Sequence, residues 1–225
     1  MSYIRGYHPD TLREIVDLRE CRDPAWHVRP DAADRAHWTE PLRALRRESH
    51  VSYISGYDPD TLREKVSPTQ CRDRLEEIGE QRSLPALLER VWLLKVLDRA
   101  DEALVVSEQS VRVARMAGTR KDLLRARILH ATVLQALGKY SAAWQELTTC
   151  AEEAEGQGWA GIGAFAHMHR GKVSYDDGDY EGARKDFKRA LFLRQESGAT
   201  QDQLESVLMA IDAAEQRRAA ASVAS

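Results

Sequence analysis

One stretch of the sequence matches a phosphate-binding motif letter for letter, Gly156-Gln157-Gly158-Trp159-Ala160-Gly161. In dinucleotide-binding proteins such glycines let the chain turn tightly between a strand and a helix and approach a pyrophosphate. Here the preceding residues, 151–155, read Ala-Glu-Glu-Ala-Glu and are typical of a helix. Because no strand leads into the glycines, we interpret them as a turn between two helices.

Histidine and cysteine side chains are a second set of candidate functional residues, because both can bind metals. Four of them occur in the first forty residues, namely Cys21, His8, His27 and His37. They lack the paired spacing of structural zinc ligands, so we expect no metal and no cofactor. The chain has only three cysteines, which are widely spaced, and this pattern indicates reduced thiols and not a disulfide framework.

His167 and His169 lie in a helical pattern, two residues apart. Side chains at that spacing point about 200° apart on a helix, so the two rings cannot share a ligand, and we expect one to face the core and the other a groove. The sequence also lacks a nucleophile elbow, a paired-histidine zinc motif and a phosphate-binding lysine motif. We therefore expect a protein that is not an enzyme.

Charge and hydropathy narrow the function classes further. The net charge is −3 and the sequence pI is about 6.2, so there is no overall positive field to attract nucleic acid or an anionic membrane. The longest uncharged run, Gln157–His169, is too short and glycine-rich to span a bilayer. We expect a cytoplasmic protein. Its arginine-rich composition without asparagine suggests a bacterial source.

The C-terminal part of the chain repeats with a period of 40 residues. Similar blocks begin at Asp98, Gly138 and Gly178, each between two stretches with apolar or small residues three, four or seven apart. All seven prolines occur at or before Pro85, so the residues that follow can form uninterrupted helices. We place a domain boundary near residue 80, with a helical domain at 81–220.

The small and aromatic residues of each repeat keep a fixed spacing. The third repeat has Gly171, Gly178, Tyr180, Ala183, Phe187 and Ala190, and the second has Ala131, Gly138, Tyr140, Ala143, Leu147 and Cys150. The first keeps only a degenerate form. Residues 84–198 thus resemble tetratricopeptide repeats of an extended variety. The resemblance implies an all-α fold, a right-handed solenoid of three antiparallel helix pairs, followed by a capping helix (Gln201 to Arg218) and a disordered tail (221–225).

In the tetratricopeptide family the first helix of each pair lines a concave groove that binds peptides. Carried over by position, the groove-lining residues are Leu88, Trp92, Lys95, Arg125, Ile128, Thr132, Gln135, Phe165, Met168, His169, Lys172 and Tyr175. Aromatic and basic groups together favour a protein or peptide ligand with acidic character. The alternative is that the N-terminal segment or a homodimer partner covers this surface.

The expected function is therefore that of an adaptor or regulator that binds another protein. Two alternatives stay open. The chain is the sensory part of a transcription regulator with its DNA-binding unit in 1–80, although that segment shows no basic recognition helix. Or it is an accessory subunit of an enzyme complex.

A different duplication occupies the N-terminal segment, where residues 2–23 recur at 52–73. We expect short helices and loops over 1–80, with helix starts at Pro59–Glu64 and at Ser67-Pro68. The copy at 52–66 is predicted to cap the outer edge of the first repeat. The first copy has the same side chains and can reach the same surface, so we hypothesise that residues 1–50 regulate self-association or shield the groove.

Overall fold

The computed structural model describes residues 54–223 of the chain. Outside the described residues lie the first copy of the duplicated unit and the candidate metal ligands Cys21, His8, His27 and His37. What was predicted for them stays a prediction.

The described residues form eight α-helices and one two-stranded hairpin. The helices are α1 (Pro68–Ile78), α2 (Leu84–Val96), α3 (Ala100–Ala117), α4 (Arg120–Ala136), α5 (Tyr140–Gly156), α6 (Ala160–Asp176), α7 (Tyr180–Glu196) and α8 (Gln201–Val223). Consecutive helices pack against each other from α1 to α8. The predicted all-α class and the predicted positions of the breaks between helices are confirmed.

The turns that end α4, α5, α6 and α7 recur every 20 residues and share one backbone conformation. Gly138, Gly158, Gly178 and Gly198 all have positive φ, between 69° and 87°, which a residue without Cβ adopts at no steric cost. After α4, for example, the Gly138 amide donates to the Gln135 carbonyl and the Lys139 amide to the Leu134 carbonyl. These bonds satisfy carbonyls at the helix end. Gly158 is therefore the helix-terminating residue that the sequence indicated, with helix and not strand before it.

Asp98 takes the same left-handed conformation after α2, with φ 58°. An aspartate tolerates this conformation better than most residues with a Cβ, although less well than glycine. The first repeat thus keeps the turn, although Asp98 stands where the second and third repeats have glycine.

Close packing between α6 and α7 depends on one glycine. A Cβ at Gly171 would lie 2.5 Å from Cε1 of the fully buried Phe187 and 3.2 Å from the Ala183 carbonyl oxygen. Gly171 therefore lies where α6 meets Ala183 and Phe187 of α7.

The last helix caps the stack through a face of small residues. The spacing of Leu204, Val207, Leu208 and Ile211 predicts one buried apolar stripe on this helix. Val207, Ala210 and Ala214 are fully buried, whereas Leu208 is 49% exposed. The prediction is wrong for Leu208 because the small residues, and not Leu208, face α7. The helix also continues to Val223, so residues 221–223 are helical where we expected disorder. Residues 224–225 lie beyond the described part.

The hairpin precedes α1 and consists of β1 (Ile54–Tyr57) and β2 (Glu64–Val66), paired antiparallel. Its tip is closed by the Asp58 carboxylate, which accepts hydrogen bonds from the amides of Asp60 and Thr61 and from the Thr61 hydroxyl. Leu62 then has a left-handed φ of 57°.

The predicted helix start at Pro59–Glu64 is therefore wrong in this copy, since the Asp58 side chain turns the chain back before a helix can form. The start of α1 at Pro68, after Ser67, is as predicted.

Candidate functional site: the concave groove and its hairpin

The first helices of successive pairs, α2, α4 and α6, contact one another and form one continuous face. This face carries the predicted groove residues, and ten of the twelve are buried, namely Leu88, Trp92, Arg125, Ile128, Thr132, Phe165, Met168, His169, Lys172 and Tyr175. Lys95 and Gln135 are half-buried. The groove is thus largely covered.

The hairpin covers the groove through a buried carboxylate at its centre. Only 7% of the Glu64 side chain is exposed, and its two oxygens lie 3.8 Å from Lys95 Nζ and 3.7 Å from Lys172 Nζ. Burial opposes a charge here, but Lys95 and Lys172 outweigh it and hold the pKa of Glu64 well below its usual range. We call Glu64, Lys95 and Lys172 the groove cluster. It joins the hairpin to α2 and α6 at once.

Apolar and aromatic side chains fix the hairpin on either side of Glu64. Leu62 is 2% exposed and belongs to the same apolar cluster as Met168 and Tyr175. On the other strand, the Tyr57 ring lies 5.3 Å from Lys172 Nζ, within the range of a cation–π interaction. Lys172 therefore contacts the hairpin through an ion pair with Glu64 and a cation–π interaction with Tyr57.

The tip of the hairpin reaches the last helix of the stack. The Tyr175 hydroxyl donates to the Asp60 carbonyl at 3.0 Å. Arg217 of α8 donates to the same hydroxyl at 3.3 Å and lies 3.5 Å from the Asp60 carboxylate. The predicted position of this copy as a cap on the outer edge of the first repeat is therefore wrong for its described residues. Residues 54–66 lie against the face of α2, α4 and α6, where Glu64 meets Lys95 and Lys172.

The other predicted groove residues take different partners. Gln135 donates to Asp176 at 2.9 Å, Arg125 lies 3.6 Å from Asp122, and the ring of Phe165 packs edge-on against His169. Leu88, Trp92 and Ile128 share the main apolar core with Ile54 of the hairpin.

A cavity of about 350 Å³ remains between the hairpin and the groove. Its wall includes Glu64, Thr132, His169 and Lys172. Burial, reinforced by Lys172 and Lys95, holds the pKa of His169 well below its usual value, so this ring is neutral at physiological pH. The positive charge that faces Glu64 is therefore supplied by the two lysines.

Sequence reasoning identified the groove side of this contact and missed the hairpin side. Asp60, Leu62, Glu64 and Arg217 were not assigned to the site. A signal for three of them was present, since Asp60, Leu62 and Glu64 recur unchanged in the other copy of the duplicated unit.

On the opposite side of α6 lies a second set of charged groups, the interhelix cluster, formed by Glu155, His167, Arg170 and Asp186. His167 Nε2 lies 2.6 Å from Glu155 Oε1 and Nδ1 lies 2.8 Å from Asp186 Oδ1, and Arg170 donates twice to Asp186. His167 and His169 thus face opposite sides of α6, as predicted.

The two carboxyl groups of the interhelix cluster are both acidified. Hydrogen bonds from Arg189 and His167, opposed by burial, lower the pKa of Glu155 to about 2. Burial alone would raise the pKa of Asp186, but the bonds from His167 and Arg170 lower it.

An open cavity of about 580 Å³ between α3, α4 and α5 is lined by His130, whose ring pairs with Ser107 behind it. Ser107 Oγ lies 2.9 Å from His130 Nδ1, but Ser107 is fully buried and its hydroxyl donates to the Leu104 carbonyl at 2.8 Å. His130 Nδ1 must then donate to Ser107 and cannot act as its base. The pair is not arranged as a nucleophile and its activating base.

Comparisons with known proteins add no family assignment. No protein-family model matches the chain, and no curated protein matches its sequence significantly. Among residues 54–223 no helix is long and apolar enough to cross a membrane.

Proposed function

We propose that this chain is a non-catalytic, cytoplasmic protein-recognition module of the tetratricopeptide type. Its concave groove recognises a short turn-forming segment with a leucine followed two residues later by a glutamate. The hairpin 54–66 is an occupant of this groove carried by the chain itself. The right-handed solenoid implied by the repeat resemblance is part of the same proposal.

The burial of Glu64 between Lys95 and Lys172 carries this proposal. Both lysines are groove residues by repeat position alone, independently of the hairpin. Taking a carboxylate out of water is unfavourable unless specific partners compensate, and here the partners come from two different helices. Such an arrangement is typical of ligand recognition, in which a few oriented contacts select one segment.

The apolar part of the contact supports the same conclusion. Leu62 is buried in the same apolar cluster as Met168 and Tyr175, while the Tyr175 hydroxyl donates to a backbone carbonyl of the occupant. An anchoring side chain beside a hydrogen bond to the peptide backbone combines affinity with specificity. An external protein segment with the same pattern would meet the same groups.

The proposal is tested by freeing the groove and adding the segment back. Leu62→Asp in the full chain places an unpaired charge in the apolar pocket and should release the hairpin. Leu12→Asp is added because the first copy carries the same leucine. We expect a fluorescent peptide of residues 52–66 to bind this double variant, and to bind the wild-type chain about ten-fold more weakly because the tethered hairpin competes.

Two controls make the result specific. A peptide with Glu64→Lys should not bind, and Lys172→Glu in the freed chain should restore binding of that reversed peptide in part. If the freed chain keeps its helical circular dichroism but does not bind the 52–66 peptide, the groove is not a recognition site.

A further inference from the structure

We infer that residues 2–16 are a second ligand for the same groove, which exchanges with hairpin 54–66 on a single chain. This inference builds on the proposed function, since it requires that the groove recognises the segment by its side chains. It adds that the chain contains two competing occupants for one site.

The side chains that face the groove are the same in both copies. Tyr57, Leu62 and Glu64 have counterparts at Tyr7, Leu12 and Glu14, fifty residues earlier. The remaining shared contacts follow the same offset, with Ile54 and Asp60 matched by Ile4 and Asp10. A segment with this set of side chains offers the groove the same carboxylate, the same leucine and the same aromatic ring.

The two copies differ at three of these fifteen positions, and in the described copy those positions are Ser55, Asp58 and Lys65. All three interact within the hairpin and not with the groove. The Ser55 hydroxyl donates to the Lys65 carbonyl, Lys65 Nζ lies 3.9 Å from Asp58, and Asp58 closes the tip. The duplication has thus kept the residues that recognise the groove and changed those that stabilise the hairpin itself.

These three differences determine which copy binds the groove more tightly. The first copy has Arg5, His8 and Ile15 at the three positions. A histidine cannot accept the three hydrogen bonds that the Asp58 carboxylate accepts at the tip, and isoleucine lacks the charge of Lys65. The first copy is therefore the weaker occupant, and hairpin 54–66 holds the groove in the resting chain.

The length of chain between the copies permits exchange without a second protomer. Residues 17–67 separate the first copy from the start of α1 at Pro68. Extended chain covers about 3.3 Å per residue, whereas a 17-residue helix such as α4 is about 25 Å long, so a fraction of this length spans the groove. Tethering also raises the local concentration of the first copy far above that of another protomer in dilute solution.

Exchange would leave one copy outside the groove at any time, because each chain has two ligands and one groove. When the first copy is bound, the hairpin 54–66 with its acidic side chain is presented to other proteins. The occupied groove thereby becomes a two-position switch.

Thiol crosslinking reports which copy is in the groove. Arg217→Cys on α8 is combined with Asp60→Cys, its neighbour in the hairpin, or with Asp10→Cys, the matching position of the first copy. The side chains of Arg217 and Asp60 are 48% and 81% exposed, so replacing them leaves the buried anchors intact. Cys21→Ser is added, while Cys71 and Cys150 are buried and left in place. A short bis-maleimide is used at low protein concentration.

We expect the Asp60→Cys pair to crosslink fast and within one chain. The Asp10→Cys pair should crosslink more slowly, yet on the order of ten-fold faster than an Asp31→Cys pair, which has a comparable tether but lies outside the repeated unit. Adding Leu62→Asp, or Asp58→His to copy the weaker tip, should raise the Asp10→Cys rate and leave the Asp31→Cys rate unchanged.

Three outcomes contradict these expectations in different ways. Equal rates for Asp10→Cys and Asp31→Cys in every background overturn the exchange and leave the proposed function intact. Absence of a crosslink from the Asp60→Cys pair overturns the occupancy of the groove itself. A crosslinked dimer in place of a monomer overturns exchange on a single chain, because the first copy would then occupy the groove of a second protomer.

Discussion

Helix α6 carries a charged cluster on each of two faces, and the two differ in what they connect. The interhelix cluster joins α6 to α5 and α7 through residues 12 to 19 positions apart, such as His167 with Glu155 and Asp186. The groove cluster joins α6 to a hairpin more than a hundred residues earlier in the chain, through Lys172 and Glu64. One cluster belongs to the helical stack, and the other belongs to an occupant of its surface.

This difference determines what happens when a cluster is broken. The Asp186 side chain is 9% exposed and lies between α6 and α7, so water cannot fully replace its carboxylate while those helices stay packed. The partners of Glu64 are rehydrated as soon as the hairpin lifts off, and the helices need not move. Removal of one carboxylate should therefore destabilise the whole stack in the first case and release one segment in the second.

The largest expected effect comes from matched replacements of the two carboxylates. Asp186→Ala leaves His167 and Arg170 buried without their partner and should lower the free energy of unfolding by about 3–5 kcal/mol. Glu64→Ala should lower it by less than about 1 kcal/mol, while amide hydrogen exchange in 54–66 becomes faster. Urea denaturation and hydrogen-exchange mass spectrometry measure the two quantities.

An exposed ion pair on α7 supplies the control for that pair of variants. Glu181 bonds to Arg184 and Arg218 with 39% of its side chain exposed, so Glu181→Ala should change stability by less than about 1 kcal/mol. If Glu64→Ala destabilises the chain as much as Asp186→Ala, the hairpin is an integral part of the stack and the distinction between the clusters fails.

A smaller effect is expected from overpacking the helix that carries both clusters. Gly171→Leu must displace the buried Phe187 ring and should cost on the order of 1–3 kcal/mol. Gly161→Leu on the same helix is the control, since a Cβ there meets nothing within 4 Å. An unchanged melting temperature for Gly171→Leu would contradict the assigned repeat register.

The smallest effect is the acid dependence of the interhelix cluster. Because the pKa of Glu155 is lowered to about 2 in the folded chain, its contribution is complete above the unfolded value of about 4.3 and is lost as pH falls toward 2. Its partial exposure limits this contribution to about 1 kcal/mol or less.

Glu155→Gln should therefore be less stable than wild type at pH 6, and the gap should narrow by pH 3. The urea denaturation midpoints of the variant and of wild type, at pH 6 and at pH 3, measure this gap. A gap that stays constant with pH would show that Glu155 acts by packing and not by charge.

Much of the helical stack was predictable from local sequence. The 40-residue period, the glycines such as Gly138 and Gly178 and the absence of proline after Pro85 predicted where each helix ends, because these residues act on the backbone next to them. The helix contact at Gly171 was predictable for a related reason, since only a small residue allows two neighbouring helices to approach so closely. The buried face of α8 was not predictable from local sequence, because both Leu208 and Ala210 fit a helical period.

The spacing within each repeat also predicted that Lys95 and Lys172 lie on one shared face of α2, α4 and α6, and both contact the hairpin there. It did not determine what fills the groove. The turn at Pro59–Glu64 has residues that suit a helix start, and only the Asp58 side chain and the left-handed Leu62 redirect the chain into a hairpin. Only the tertiary structure determined where Glu64 binds. Its cationic partners, Lys95 and Lys172, come close together only when α2 and α6 pack on either side of α4.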